Sequence, residues 1–191
     1  MAGPGRRAVA CALPALLAGC SAAPVPIARL PYDPSLGFAD PARQAIIHTA
    51  AAFAAPDTLA GRPWEAAEAI SQAEFLAVEL RYAPRWIEMM AAPQAFIAAR
   101  PEWRAALGID QDAPPQAVID ALTGVRLAFG AENPAAAAAA LPQPLFARGG
   151  EATLRGLSAL PPLPGTAWAA SLALREMWRI QRQGSWGNDW E

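Results

Sequence analysis

Apolar side chains recur every three or four residues through most of this chain, which is the pattern of amphipathic α-helices. The first clear helix is predicted to have Asp40 as its N-cap and Pro41 at its first position, and to end near Ala55. Its apolar face is expected to pack in the core and contains Ile46, Ile47, Ala50, Phe53 and Ala54. His48 lies beside Gln44 on the other side of this helix, so we expect it to face water.

Prolines divide the rest of the chain into further helices. A long helix is predicted from Pro63 to about Ala83, where Pro84 ends or kinks it. The other helical segments are predicted at about 85–91, 93–99, 101–107, 112–129, 135–140 and 166–183. Gly108 is a plausible C-terminal cap, and residues 143–164 are expected to hold only one or two short turns. We therefore predict an all-α fold, a compact bundle of about five to seven short and medium helices broken by prolines.

The composition supports this fold class and excludes some functions. The 191 residues include 49 Ala and 19 Leu but only 21 Val, Ile, Tyr and Thr together, which excludes an all-β fold. The chain has no Lys, and its formal net charge is −2 at pH 7. It therefore lacks the basic surface that nucleic-acid binding requires, and we expect no nucleic-acid partner.

The amino terminus has the layout of an export signal. Arg6 and Arg7 precede an apolar run from Ala8 that is about ten residues long, shorter than the roughly 20 residues needed to cross a bilayer. The run ends in Leu17, Ala18, Gly19 and Cys20. These four residues resemble the lipobox of bacterial lipoproteins. The resemblance implies that the signal, residues 1–19, is removed before the cysteine and that the thiol carries a diacylglyceryl group.

The same resemblance implies a cellular address. Ser21 is similar to the sorting residue that directs lipoproteins of Gram-negative bacteria to the outer membrane, where the domain would face the periplasm. Cys11 would be lost with the signal, so no thiol would remain for a disulfide or a metal. Two other interpretations stay open: Cys20 is a buried free cysteine after an ordinary helix, or an ordinary signal peptide is removed after Ala23.

The predicted signal is followed by three further parts of the chain. They are a Pro-rich tether at 20–39, the helical domain at 40–184, and an aromatic carboxyl-terminal tail at 185–191. The prolines of the tether favour an extended polyproline conformation. An alternative for the stretch after Ile27 is an ordered arm whose large side chains pack on the domain, namely Leu30, Tyr32, Leu36 and Phe38.

One cluster of polar residues on the long helix has two interpretations. Glu74 and Arg81 lie away from the predicted solvent side of this helix, which carries Glu65, Glu68, Gln72 and Glu79. The cluster is either structural, with Glu74 hydrogen-bonded to an arginine or to a loop backbone, or it lines a ligand-binding groove. Tyr82 and Arg85 complete it.

The last helix and the tail offer two further candidate surfaces. Arg175, Arg179 and Arg182 form a stripe that either complements the helix dipole or meets anionic lipid headgroups. Trp186 and Trp190 in the tail either dock on the domain or contact a partner or a sugar. Other tryptophans are expected to pack between the Ala-rich helices, at Trp64, Trp86, Trp103, Trp168 and Trp178.

No pattern typical of a catalytic or metal centre is present in the sequence. His48 is the one histidine, and Gly149-Gly150 lacks the rest of a phosphate-binding fingerprint. We predict no catalytic residue, cofactor or metal. We expect a lipid-anchored periplasmic protein that acts as a non-enzymatic envelope scaffold or protein-interaction module, with an envelope protein as partner. The alternative is a periplasmic small-ligand binder or enzyme with a groove near Glu74 and Arg81.

Overall fold

The computed structural model describes residues 26–31 and 40–186, with side chains as far as residue 183. The described residues contain seven α-helices: α1 Pro41–Ala54, α2 Pro63–Tyr82, α3 Ala92–Leu107, α4 Pro115–Gly130, α5 Pro134–Ala139, α6 Gly150–Ser158 and α7 Pro164–Trp186. Two short 3₁₀ turns flank α2, at Pro56–Leu59 and Pro84–Trp86. The predicted all-α bundle is confirmed.

Proline sets the start of five of the seven helices, because its fixed φ suits the first turn and its missing N–H would be unpaired there. At α1 the cap is the predicted one: Asp40 Oδ1 accepts a hydrogen bond from the Ala42 amide at 3.0 Å. Gly108 ends α3 in the left-handed conformation, with φ of 68°. These boundaries depend on local residues, which is why the sequence predicts them.

Helix α2 is the central helix of the bundle and packs against α1, α3, α4 and α6. Its residues are buried on almost every side, including Ser71, Gln72 and Glu74. The predicted solvent side is therefore wrong at Gln72, because α1 covers it. Nδ1 of His48 lies 2.7 Å from the amide oxygen of Gln72. His48 is half-buried between the two helices and does not face open water as predicted.

The buried face of α1 is also shifted from the predicted one. Ile47 and Ala54 are exposed, whereas Ala45, Thr49 and Ala52 are buried beside Ile46 and Phe53. The reason is that α1 packs against both α2 and α7, so its contacts cover a broader sector than a single apolar stripe. Thr49 fits there because its hydroxyl donates to the Ala45 carbonyl at 2.7 Å.

Three predictions in the second half of the chain are corrected. Residues 93–107 form one helix, α3, that continues through Pro101. The continuous buried face of Phe96, Ala99, Trp103 and Leu107 outweighs the roughly 3 kcal/mol that an interior proline costs. Residues 143–164 contain a nine-residue helix, α6, instead of short turns alone. Helix α7 continues past Gly184 to Trp186, since one helical glycine costs only about 1 kcal/mol.

Helices α3 and α7 cap each other's amino termini. The Glu102 carboxylate accepts hydrogen bonds from the Gly165 and Thr166 amides at 3.0 and 2.8 Å. At the other end of the pair, Glu176 accepts from the Ala91 and Ala92 amides at 3.0 and 3.2 Å. Each carboxylate satisfies amides that have no partner within their own helix, and its negative charge suits the positive end of the dipole.

The segment 26–31 packs on the domain as an ordered arm. Ala28 is buried, and Leu30 packs against the core. The Arg29 amide donates to the side-chain oxygen of Gln116 at 2.8 Å, and the Gln116 amide group donates back to the Arg29 carbonyl at 3.1 Å. These six residues lie on the domain, as in the alternative of an ordered arm, while Tyr32, Leu36 and Phe38 lie outside the described residues.

Candidate functional site

Glu74 lies in the interior of the bundle, near the middle of α2. Its side chain has no solvent exposure. The indole N–H of Trp103 donates to Glu74 Oε1 at 2.8 Å, and Arg104 donates to both carboxylate oxygens at 2.7 and 2.8 Å. The hydrogen bond predicted between Glu74 and an arginine is present, but the arginine is Arg104 of α3 and not Arg81.

Arg104 uses its remaining donor nitrogen to hold the loop between α3 and α4. Nη1 donates to the carbonyls of Asp110, Gln111 and Ala113 at 2.9 to 3.0 Å. The planar guanidinium thus joins a carboxylate on one side to three backbone carbonyls on the other, which a lysine ammonium cannot match. With its charge paired and its donors bonded, this buried pair is arranged to hold the fold together.

Arg100 extends the charged network towards the surface. Its Nε lies 3.6 Å from Glu74 Oε2, which is within ion-pair range but too long for a hydrogen bond. Burial lowers the pKa of the Arg100 guanidinium below its ordinary value, and the nearby Glu74 carboxylate opposes that change. Arg100 Nε and the indole nitrogen of Trp86 are both buried without a hydrogen-bond acceptor in the described part of the chain.

The other members of the predicted cluster lie on the surface. Arg81 is exposed, with its guanidinium 5.7 Å from the Tyr82 ring centre. Arg85 binds Glu79 at 2.6 Å and Asp40 at 2.9 Å. The structure brings Arg81, Tyr82 and Arg85 to the carboxyl-terminal end of α2, while Glu74 is bound inside. The predicted groove shared by Glu74 and Arg81 is not formed.

Sequence reasoning missed the buried partners of Glu74, which are Trp103 and Arg104. A signal for them was present, because both lie on the apolar stripe of Phe96, Ala99 and Leu107 when α3 is treated as one helix. Dividing this stretch at Pro101 hid the stripe. A charged residue on a buried helical face indicates an interior ion pair.

The arm, α1, α2 and α7 meet at one end of the bundle. Arg85 joins the N-cap of α1 to the last turn of α2 through the ion pairs given above. The guanidinium of Arg43 lies 5.3 Å from the ring centre of Trp178, which connects α1 to α7. Arg179 Nη2 donates to the Glu88 carbonyl at 2.8 Å and ties α7 to the loop before α3.

This end of the bundle exposes large apolar side chains, and we call it the arm surface. It is defined by Ile27, Tyr82, Ile87, Met90 and Trp178, which are five of the eight large hydrophobic side chains exposed in the described residues. Ile87 and Met90 are the most exposed, at 83% and 79%. A shallow pocket lies between residues 26–28 of the arm and the last turn of α2. Exposed apolar groups gathered in this way indicate a contact with something outside the chain.

The carboxyl-terminal candidates are only partly described. Arg175 lies 5.0 Å from the ring centre of Trp168, and Arg179 holds the loop at Glu88, so two members of the predicted stripe make contacts within the chain. Trp168 and Trp178 are exposed, at 59% and 41%, and not packed between helices as expected. The side chain of Trp186 and all of Trp190 lie outside the described residues.

The lipobox residues Leu17, Ala18, Gly19 and Cys20 and the sorting residue Ser21 also lie outside the described residues. In the part of the chain that is described, no helix is both long and apolar enough to cross a bilayer. No group of three or more His, Cys, Asp and Glu side chains among the described residues could hold a metal ion.

Comparisons of this chain with protein-family models, with curated proteins and with solved structures find no significant match.

Proposed function

We propose that this chain is a bacterial lipoprotein, anchored through Cys20, whose helical domain is a non-enzymatic scaffold or interaction module at the periplasmic face of the outer membrane. The observation that carries the proposal is the placement of Leu17, Ala18, Gly19 and Cys20 at the end of a short apolar run. One acyl chain anchors a protein only marginally, whereas the two or three chains of a lipoprotein make its release slow.

The course of the chain after Cys20 determines how closely an anchor would hold the domain. The first described residues, 26–31, are fixed to α2 and α4, so only residues 21–25 separate the cysteine from the domain. Lipid on Cys20 would therefore hold the domain itself at the membrane.

A scaffold or interaction role is supported by how the polar residues are used. The strongest polar cluster, Glu74 with Arg104 and Trp103, is bonded within the interior. The surface instead presents exposed apolar side chains, which are typical of binding to other macromolecules or to a membrane. In this proposal the partner of the module is another protein of the envelope.

The anchor is tested by the mass of the purified full chain after expression in a Gram-negative host. We expect a polypeptide that begins at Cys20 and carries acyl groups, found in the membrane fraction. Cys20→Ser removes the acylation, whereas the matched variant Cys11→Ala is acylated like the wild type because Cys11 lies in the removed signal. An intact chain that still begins at Met1, or a bare thiol at Cys20, contradicts the proposal.

The interaction role is tested with a photoreactive amino acid in place of Leu127, which is 60% exposed on α4. The same substitution at Trp168 probes α7. We expect at least one position to give a discrete cross-linked protein in intact cells, which is lost in the Cys20→Ser variant because the domain leaves the membrane. Equal, diffuse labelling in both backgrounds argues against an envelope partner.

A further inference from the structure

We propose that the arm surface lies on the phospholipid bilayer, so that the anchored domain sits on the membrane in one orientation. This inference rests on the lipid anchor proposed above and deepens it, because it assigns the face of the domain that meets the membrane. The occupant of the exposed apolar face is the bilayer that holds the anchor.

The length of chain between Cys20 and the arm limits where the domain can go. Residues 21–25 span at most about 20 Å even when fully extended. A helical domain of this size is about 40 Å across, as its expected radius of gyration indicates. Pro26 can therefore never be farther from the membrane surface than about half the width of the domain.

The arm also fixes which side of the domain is near the anchor. The two hydrogen bonds between Arg29 and Gln116 and the burial of Ala28 attach it to α4 and to the core. Ile27, at 70% exposure, is on this attached segment beside Tyr82 at the last turn of α2. The chain thus leaves the domain at the arm surface, and an anchor at Cys20 pulls this surface towards the lipid.

The side chains of the arm surface suit the boundary between water and lipid. Ile87 and Met90 present apolar groups on the loop before α3, and Tyr82 and Trp178 are of the aromatic types that favour the headgroup level. At the opposite end of α2, the aromatic side chain of Trp64 packs within the chain, on the ring of Phe129, with ring centres 5.4 Å apart.

The charges around these side chains are balanced between cations and anions. Arg29 and Arg81 are exposed there, and Arg43 and Arg179 are half-buried beside them. Of the acidic groups at the same end, Asp40 and Glu79 are both paired with Arg85, Glu176 binds backbone amides, and Glu88 and Asp120 are exposed. The apolar side chains and the reach of the anchor therefore assign this surface to the bilayer, and its charge does not.

A weak surface is sufficient once the anchor is in place. A short linker gives the attached surface an effective concentration in the millimolar range. The arm surface then needs only about millimolar affinity for lipid to be docked much of the time.

The test measures the exposure of a fluorescent label at Ile87 and at Leu127 in the lipidated full chain. Each residue is changed to cysteine in a Cys11→Ala background, where the acylated Cys20 cannot react with the label. The protein is reconstituted in vesicles of phosphatidylethanolamine and phosphatidylglycerol. We expect acrylamide to quench the Ile87→Cys label about fivefold less than the Leu127→Cys label, because the arm surface is shielded by lipid. Equal quenching at the two positions overturns the proposal.

Failure of the anchor and failure of the surface are separable in the same sample. The mass of the protein shows whether Cys20 is acylated. If the thiol is bare, the proposed function fails, and the surface is then tested by flotation of the purified full chain with the same vesicles. Flotation that Ile87→Asp abolishes supports the arm surface, and absence of flotation overturns it.

Discussion

Arg104 and Glu74 form a two-point ion pair inside the bundle, with Nε and Nη2 donating to the two carboxylate oxygens at 2.7 and 2.8 Å. The Arg104 and Glu74 side chains are 1% and 0% exposed. Because the two residues lie on different helices, thirty positions apart in the sequence, the pair fixes how α2 and α3 cross. The removal of either charge leaves the other in the interior.

We expect Glu74→Ala to lower the free energy of unfolding by about 3 to 5 kcal/mol, because it leaves the Arg104 charge buried without its partner. Urea unfolding followed by circular dichroism measures the change. Arg81→Ala is the control on the same helix, and its exposed side chain should cost about 1 kcal/mol or less. Equal effects of the two variants would contradict a structural role for the pair.

Arg104→Lys is expected to destabilise the domain although it keeps the charge. Lysine has one donor nitrogen and cannot reach both the Glu74 carboxylate and the carbonyls of Asp110, Gln111 and Ala113, so at least one buried group loses its partner, at about 1 to 3 kcal/mol. Hydrogen exchange should show faster exchange in the loop at 110–113. If the loop at 110–113 exchanges at the wild-type rate, then the hydrogen bonds from Arg104 Nη1 do not hold this loop in place.

The reciprocal caps of α3 and α7 should contribute separately. We expect Glu102→Ala and Glu176→Ala each to reduce the free energy of unfolding by about 1 to 2 kcal/mol, because each leaves two helix-terminal amides without an acceptor. The carboxylates lie at opposite ends of the helix pair, so the double variant should show the sum within about 0.5 kcal/mol. Thermal and urea unfolding of the three variants measure this, and a strongly non-additive result would indicate that the two ends are coupled.

Two glycines are expected to respond in opposite directions to replacement by alanine. A Cβ on Gly150 would overlap the Ala138 carbonyl oxygen, so Gly150→Ala should separate α5 from α6 and cost about 3 kcal/mol or more. Gly130 has nothing within 4 Å of its Cβ position at the end of α4. Gly130→Ala should therefore be neutral or stabilise by up to about 1 kcal/mol. Gly150→Ala should therefore melt at a lower temperature than Gly130→Ala. The reverse order would contradict the close approach of α5 and α6.

Gln116→Ala should loosen the arm without unfolding the bundle. The variant removes both hydrogen bonds to Arg29, so the exchange rate of the Arg29 amide should rise about tenfold, as expected for the loss of roughly 1.4 kcal/mol. Gln94→Ala, at an exposed position of α3, is the control. Unchanged protection of Arg29 would mean that burial of Ala28 alone holds the arm.

The sequence predicts the local features of this fold well. The N-cap at Asp40, the proline starts of α1 and α2, and the cap at Gly108 each depend on residues within one turn of the boundary. These features follow from backbone chemistry that acts over a few residues. The position of Glu74 away from the polar side of α2 is compatible with a buried pair and with a ligand-binding groove, and the sequence does not decide between them.

The predictions that were wrong depended on contacts between distant segments. Pro101 by itself predicts a break, and the apolar stripe that crosses it overrides the proline only because the rest of the bundle buries Trp103 and Leu107. The partner of Glu74 is similar: Arg81 is closer in sequence, but the crossing of α2 and α3 places Arg104 against the carboxylate. His48 is half-buried for the same reason, since α1 lies on Gln72.

The sequence alone determined the helical class, most helix boundaries and the lipobox resemblance at Cys20, because these depend on residue types at short spacing. Only the tertiary structure decided which charges are buried together, that residues 26–31 lie on the domain, and that apolar side chains from α2, α7, the loop before α3 and the arm are exposed at one end. Packing brings together residues that are far apart in the chain. Because hydrophobic burial is not directional, the sequence pattern does not specify which of these residues become neighbours.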